Sequence, residues 1–291
     1  MNFNPYIKYF LIVFVSACWG IHPSLSKEAM TILHNSYLIV LLQNIIIVCG
    51  IMAYHLIKPL PNLFNQKHIK PAIAGALLNY AIAIPIMTMT TRHMPIAHML
   101  LLIGLAPLFT YLMALLWKQT TLSSQRLLGS LITFIALGIL FVHEIFTKTH
   151  LSKWYLIILL TPLSFGIQNN VIKSWTKFNL HVIGLVLYQN IFSSVLIAFI
   201  LFLTHSDLTS LQQANVNLVG LIVVLALLHL SGQLFFYKLL QIANIVFSSQ
   251  TANLSILIGV AWAIFVGHEV VSVTFFVAMF TMLYGVYLTQ K

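Results

Sequence analysis

Long apolar stretches alternate with short polar connections along the whole chain. Ten such stretches cover residues 7–26, 36–57, 71–91, 96–117, 126–143, 154–172, 181–203, 218–240, 245–267 and 270–289. Each holds about 18–23 residues, enough α-helix to cross roughly 30 Å of hydrocarbon. Strands of a membrane barrel are shorter and alternate apolar with polar residues, so the pattern excludes a barrel. It predicts an all-α polytopic membrane protein with ten transmembrane helices.

A repeat runs through this pattern. Residues 18–27 read CWGIHPSLSK, and 146 residues later residues 164–173 read SFGIQNNVIK. At the same offset, LLQNI at residues 41–45 recurs as LYQNI at residues 187–191. Matches between apolar residues mean little in so apolar a chain, whereas a Gly-Ile, a Lys and a Gln-Asn pair kept in one register indicate an internal repeat.

The repeat divides the chain into two halves, residues 1–145 and residues 151–291, each with five predicted helices. Because five crossings bring the chain to the opposite side, the second half is predicted to be inverted relative to the first. Inverted repeats are typical of secondary transporters, whose substrate site lies between the halves near the bilayer midplane. The sequence therefore predicts a central cavity that opens alternately to either side.

Composition supports this class, with 60% hydrophobic and 6% charged residues and a net charge of +10. The basic residues follow the positive-inside rule and do not form a nucleic-acid patch, so both termini are predicted in the cytoplasm of a bacterium, with the chain in its inner membrane. The basic residues predicted inside are Lys8, Lys58, Lys67, Lys70, Lys118, Arg126, Lys173, Lys177, Lys238 and Lys291. The charged residues predicted outside are Lys27, Arg92, Lys148, Lys153, Glu28, Glu144, Asp207 and Glu269.

Four short motifs occur in order along the chain. They are Trp19-Gly20 with Lys27, Ala106-Pro107-Leu108 followed by Leu122-Ser123 and Gly129, Gly267-His268-Glu269, and Tyr284-Gly285-Val286-Tyr287-Leu288. Together with the spans and the repeat, they resemble the EamA family of the drug/metabolite transporter superfamily, with one family domain in each half. The resemblance implies metabolite transport, often export of amino acids or related compounds.

The chain departs from the family pattern in two ways. Thr120 stands where the first half usually carries a Glu, and Gln43 and Gln189 stand where many members carry an Arg on the second helix. The absence of that Arg could change the substrate charge that is preferred or the way in which the helices are held together.

Polar side chains inside apolar spans are the candidates for chemistry, since they are costly in lipid unless they are satisfied. Histidine is the one group here suited to proton coupling near neutrality. Neutral amides both donate and accept, so they can hold a zwitterion or an amide, and aromatic faces suit aromatic or cationic solutes. The predicted substrate-binding residues are Trp19, His22, Asn79, Tyr80, His98, Gln168, Asn169, His229, Gln233, Tyr237 and Asn253.

Each candidate also has a structural interpretation. A buried histidine or amide commonly links two helices, with about 0.6 kcal/mol per hydrogen bond. For His22 and His98, and for the repeated pairs Gln43-Asn44 and Gln189-Asn190, the structural interpretation is favoured. Pro85 and Pro107 lie within spans, where they either kink the helix statically or permit a hinge.

Other chemistry finds no support in the sequence. It has no phosphate-binding Lys motif for ATP, no Ser–His–acid set within the spans, and no metal-binding His pair, since His93 and His98 are five apart without further ligands. No cofactor, metal or enzymatic activity is expected. The partners expected are a small-molecule substrate and the lipid bilayer, with a monomer as the default and a homodimer left open.

The function predicted is a secondary transporter or facilitator for a small neutral or zwitterionic metabolite, first of all an amino acid or derivative that is exported. A carrier of a cationic metabolite such as S-adenosylmethionine is the second hypothesis. A membrane-embedded lipid-modifying enzyme with a histidine base is the alternative from another class, and a structural or sensory membrane protein is a third.

Overall fold

A computed structural model describes residues 6–148, 152–175, 181–206, 209–213, 215–242 and 245–289. These residues form helices and no strand. Numbered in chain order, the helices are α1 Ile7–Leu33, α2 Ser36–Ile57, α3 Gln66–Thr90, α4 Ile96–Leu116, α5 Ser124–Lys148, α6 Leu160–Trp175, α7 Val182–Leu203, α8 Val216–Ile242, α9 Ile245–Phe265 and α10 Val273–Thr289. One helical turn, Trp154–Ile157, precedes α6, and a 3-10 turn, Thr209–Gln213, lies between α7 and α8.

The helices follow the apolar stretches of the sequence closely. Within the described part of the chain, seven helices are long and apolar enough to cross a membrane, and two shorter apolar helices lie in α9 and α10. Large apolar side chains such as Phe10, Phe134 and Phe202 are exposed on the outside of the bundle, as expected of a surface in contact with lipid. The prediction of an all-α multi-pass membrane protein is confirmed.

Capping residues and prolines set the ends of α2. The Asn35 side chain accepts a hydrogen bond from the Leu38 N–H at 3.1 Å, which satisfies one of the free amides at the start of the helix. At the other end, Lys58 adopts an extended backbone, because the following Pro59 disfavours the helical conformation of the residue before it.

Two prolines interrupt regular α-helix within the spans. Pro85 has no N–H to donate to the carbonyl four residues earlier, and the preceding segment Ala76–Ala83 of α3 is π-helical. Pro107 follows a break in α4, which consists of the α-helices Ile96–Ile103 and Ala106–Leu116. Both prolines thus mark an irregular backbone, as their positions in the sequence predict.

Side chains of α6 bind backbone carbonyls of the irregular part of α3. The Ser164 hydroxyl donates to the Leu78 carbonyl at 2.6 Å, and the Thr161 hydroxyl donates to the Ala83 carbonyl at 3.2 Å. Irregular backbone at membrane depth is tolerated when neighbouring helices satisfy its polar groups. These two bonds therefore explain how α3 keeps its π-helical segment within the bundle.

The helices of the two halves pack between one another. Helix α1 packs on α8 and α9 of the second half, and α6 packs on α3 and α4 of the first half. Helix α2 packs on α7 and α8, α7 also packs on α3, and α5 packs on α10. Each of these contacts has a counterpart in which every helix is exchanged for the one five positions away.

Two glycines permit the closest of these contacts. A Cβ atom on Gly20 of α1 would lie 2.6 Å from the Ser255 carbonyl oxygen and 2.9 Å from the Gly259 amide nitrogen of α9. A Cβ atom on Gly166 of α6 would lie 2.8 Å from the Thr110 amide nitrogen of α4. Any side chain would clash with backbone at both places, so the glycines shared by the repeated segments have the same packing role.

Candidate functional site

A group of buried polar side chains lies where the two halves meet. It comes from α1, α2 and α3 of the first half and from α7 and α8 of the second, and none of its members is more than 8% exposed. The group, here termed the central network, consists of His22, Gln43, Tyr80, Asn190, His229 and Gln233.

The first part of the central network joins α1 to α2. His22 Nε2 lies 3.3 Å from Gln43 Oε1, and His22 Nδ1 lies 3.3 Å from the Ser26 hydroxyl. Because an amide oxygen only accepts, His22 Nε2 donates to Gln43 Oε1. Both ring nitrogens of His22 are therefore paired.

The second part joins α3, α7 and α8. The Tyr80 hydroxyl donates to Gln233 Oε1 at 2.6 Å and accepts from Asn190 Nδ2 at 3.1 Å. Asn190 Nδ2 also donates to the Val186 carbonyl at 2.8 Å, which uses both of its N–H groups. This arrangement fixes the orientation of the Tyr80 hydroxyl and of the Asn190 amide.

His229 lies between these two parts. Its ring meets that of Tyr80 edge to face, with centroids 5.1 Å apart, and lies 5.8 Å from the ring of His22. The three rings and their amide partners therefore form one continuous polar and aromatic group across the interface between the halves.

Three atoms of the central network have no hydrogen-bond partner among the described residues. They are Gln43 Nε2, Asn190 Oδ1 and His229 Nε2, all inaccessible to solvent. Leaving a buried polar atom unpaired costs about 1–3 kcal/mol, and most such atoms in proteins are paired with protein or ordered water. Three of them in one network make it the candidate site for a polar ligand.

Aromatic side chains lie beside the central network on α1 and α8. The Trp19 ring packs on Phe236 with centroids 4.8 Å apart, and it also contacts Gly232, where a Cβ atom would lie 2.6 Å from Trp19 Nε1. Tyr237 accepts a hydrogen bond from Gln189 Nε2 at 3.2 Å. Both predicted residues thus lie at helix contacts next to the network.

The structure separates His98 from the central network. His98 Nδ1 is 2.7 Å from the Tyr155 hydroxyl, and its ring stacks on Phe275 at 5.2 Å. It is therefore placed as a link between α4, the turn before α6 and α10.

The remaining predicted residues are dispersed. Asn169 is exposed on α6 and donates to the Thr110 hydroxyl at 3.3 Å, while its neighbour Gln168 is buried. Asn79 and Asn253 are both partly exposed, on α3 and α9. None of these four belongs to the central network as it is placed here.

The repeated Gln-Asn pairs combine two roles. Asn44 Nδ2 donates to the Ser193 hydroxyl at 2.8 Å, and Gln189 pairs with Tyr237, so these two amides link helices as the sequence suggested. Gln43 and Asn190, however, belong to the central network and were not among the predicted binding residues. Their recurrence at one offset was the signal that could have identified them.

Charged groups gather at one end of the bundle. Glu269 accepts hydrogen bonds from the Ile96 and Ala97 N–H groups at 2.9 and 3.1 Å and pairs with Lys27 at 3.2 Å. It therefore stabilises the N-terminus of α4 and ties it to α1. A cavity of about 290 Å³ lies here, lined by Lys27, Thr91, Arg92, Met94, Pro95, Glu269 and Val270.

His93 lies at the same end and stacks on Trp154, with centroids 3.9 Å apart and planes within 3°. Partial burial, together with the charges of Arg92 and Lys153, lowers the pKa of His93 below its ordinary value of 6.5. Four charged residues that the sequence assigns to the outer side of the membrane thus lie close together here: Lys27, Arg92, Lys153 and Glu269.

Within the described ranges, no three His, Cys, Asp or Glu side chains come together in a way that could hold a metal ion.

Known proteins resemble this chain in fold and, over residues 6–142, in sequence. A crystal structure titled only "Crystal structure of protein" superposes with a TM-score of 0.67 at 12% identity, covering 98% of this chain and 96% of that chain. At this identity the likeness concerns the fold alone, and it extends over both halves. No curated protein matches the sequence. Residues 6–142 match the model of the EamA-like transporter family. The segment of residues 6–142 thus belongs to the EamA-like transporter family, within the drug/metabolite transporter superfamily.

Proposed function

We propose that this protein is a secondary carrier or facilitator that moves a small neutral or zwitterionic metabolite, an amino acid or a derivative, by alternating access through the central network. One observation carries the proposal: Gln43 Nε2, Asn190 Oδ1 and His229 Nε2 are buried and unpaired where the two halves meet. Unpaired polar atoms at the interface between repeats are what a carrier of polar cargo requires there.

The arrangement of the halves supports ten membrane spans in two inverted repeats. Helices α1 and α6, which carry the repeated segments, pack on corresponding helices of the opposite half. Gly20 and Gly166 make their backbone contacts at equivalent positions. With five spans in each half, the proposed second copy would have the opposite orientation to the first.

The charge distribution supports an orientation with both termini in the cytoplasm of a bacterium, and export as the direction of flux follows from the family resemblance. In that orientation the Glu269 end faces outward. The central network is buried in this conformation. Opening outward would separate α1 from α4, which the contacts of Glu269 with Lys27, Ile96 and Ala97 hold together.

The chemistry of the central network argues against a cationic cargo. Its six members include no Asp, Glu, Lys or Arg, so a cation such as S-adenosylmethionine would find no carboxylate in it. The rings of Trp19 and Phe236 are the feature that favours a cation.

Uptake into proteoliposomes tests the proposal. The purified protein is reconstituted and supplied with radiolabelled amino acids, their derivatives and S-adenosylmethionine, with and without an imposed pH gradient. Saturable uptake that one compound inhibits would establish transport and identify the cargo. A dependence on the gradient that disappears in His229→Gln, but not in His98→Gln, would assign proton coupling to the central network. If folded protein takes up none of these compounds, the proposed cargo is wrong.

A further inference from the structure

The unpaired atoms of the central network have defined hydrogen-bonding roles. Gln43 Oε1 accepts from His22, so the free atom Gln43 Nε2 offers two N–H donors. Asn190 uses both its N–H groups on Tyr80 and on the Val186 carbonyl, so its free Oδ1 is an acceptor. The central network thus offers an amide donor and an amide acceptor, with His229 Nε2 as a third polar atom.

Charge limits what can pair with these atoms. Neither the central network nor the side chains that hydrogen-bond to it within the described residues include a charged residue. Lys27, five residues after His22 on α1, is already paired with Glu269. A carboxylate or ammonium group bound at the network would be buried without a counter-charge, which is far less favourable than burying a hydrogen-bonded neutral group.

A carboxamide has the matching pattern. It has a carbonyl that can accept from Gln43 Nε2 and an N–H that can donate to Asn190 Oδ1, the complements of the two free amide atoms. The ring centroids of His22 and Tyr80 lie 5.8 and 5.1 Å from that of His229, and aromatic faces suit a flat ligand. Sites that hydrogen-bond a ligand's polar group discriminate strongly against ligands that leave those atoms unpaired.

We infer that the central network binds an uncharged carboxamide or lactam group of its ligand, and that it discriminates against free carboxylates and ammonium groups. The inference rests on the proposed function only in taking the central network as the cargo site, and it narrows the cargo class from neutral or zwitterionic compounds to neutral amides.

Three probes of nearly one shape test the inference. Benzamide is neutral, benzoate is an anion and benzamidine is a cation, and acetamide, acetate and acetamidine repeat the series without a ring. Binding is measured by isothermal titration to the full chain in nanodiscs at pH 7.5. We expect the amide of at least one series to bind at least tenfold more tightly than its charged analogues. Equal or tighter binding of either charged analogue would overturn the inference, and so would the absence of amide binding to folded protein.

Substitution of Gln43 sharpens the test. Gln43→Glu keeps the acceptor for His22 and replaces the free N–H donors with a carboxylate oxygen, so the preference should move from the amide to the amidine by at least tenfold. Gln43→Leu should abolish the preference for the amide. An unchanged preference in a folded Gln43→Glu protein would contradict the assigned donor.

Gln189 supplies the matched control, since it is the repeat counterpart of Gln43 but has both amide atoms paired with Tyr237. Gln189→Leu should lower thermal stability while leaving the ratio of amide to amidine binding unchanged. The proteoliposome assay separates this inference from the proposed function. Transport of a free amino acid would support the carrier function and contradict the binding of an amide group. Amide binding without transport would support the inference and contradict the carrier function.

Discussion

Two buried histidines of this protein have opposite surroundings. His98 is 6% exposed and His229 is 8% exposed. His98 is hydrogen-bonded to Tyr155 and stacked on Phe275, whereas His229 meets two aromatic rings and keeps an unpaired Nε2 atom. The comparison teaches that burial alone does not distinguish a structural histidine from a binding one. The two differ in the unpaired Nε2 atom of His229, which represents free energy that a bound ligand would recover.

The largest expected effect comes from removing each histidine in turn. His229→Leu should reduce uptake into proteoliposomes at least tenfold, equivalent to about 1.4 kcal/mol, because a ligand contact is lost. Its thermal stability should be unchanged or higher, since an unpaired buried polar group is replaced by an apolar one.

His98→Leu should behave in the opposite way. It removes the hydrogen bond to Tyr155 and should lower the free energy of unfolding by about 1–3 kcal/mol, while folded protein retains its uptake. Uptake per folded molecule and the midpoint of thermal unfolding in detergent measure both effects. If His98→Leu proved the more damaging variant for uptake, the contrast between the two histidines would be wrong.

The next effect concerns the helix that carries His22. Gly20→Ala places a methyl group against the backbone of α9 and should destabilise the protein by about 1–3 kcal/mol, with uptake falling as α1 shifts. Gly50→Ala on α2 is the matched control, because a Cβ atom there meets nothing within 4 Å. Equal thermal stability of these two variants would contradict the close contact of α1 with α9.

Glu269, like His98, is a polar group with hydrogen-bond partners, so its removal should also lower stability. Glu269→Ala removes the acceptor of two N–H groups and the partner of Lys27, so we expect a loss of about 1–2 kcal/mol of stability. Glu269→Gln keeps one acceptor oxygen and should lose about half as much. The midpoint of thermal unfolding ranks the two variants, and the reverse order would argue against the capping role.

The smallest effect is a pH dependence at His93. Its pKa is lower in the folded protein than in the unfolded chain, where it lies near 6.5. The stability that neutral His93 contributes is therefore present above pH 6.5 and is lost as the pH falls through the folded value. Between pH 7.5 and 5, the wild-type protein should lose slightly more thermal stability than His93→Gln, and parallel curves would rule this out.

The apolar pattern predicted the helices well but not every end. The second span was predicted at residues 36–57 and forms Ser36–Ile57. The first was predicted to end at residue 26, whereas α1 continues to Leu33. Lys27 and Glu28 resembled a boundary in the sequence, yet Lys27 is paired with Glu269, a residue far along the chain. A charge that is neutralised by a tertiary contact does not end a helix.

The site was only partly predictable for the same reason. His22, Tyr80, His229 and Gln233 were identified because they are polar in apolar spans, and the structure brings them together. His98 carried the same signal, but the partner that satisfies it comes from a distant turn. Whether a buried polar atom is paired depends on packing between helices, which spacing along one helix does not reveal.

The π-helical segment Ala76–Ala83 carries Tyr80 into the central network. In a regular α-helix each residue turns the chain by about 100°, so a deletion of one residue within this segment would rotate Tyr80 relative to the rest of α3. The number of residues in this stretch is therefore as much a determinant of the binding site as their identity. A relative with the same side chains but a third helix one residue shorter would present a different surface to its cargo.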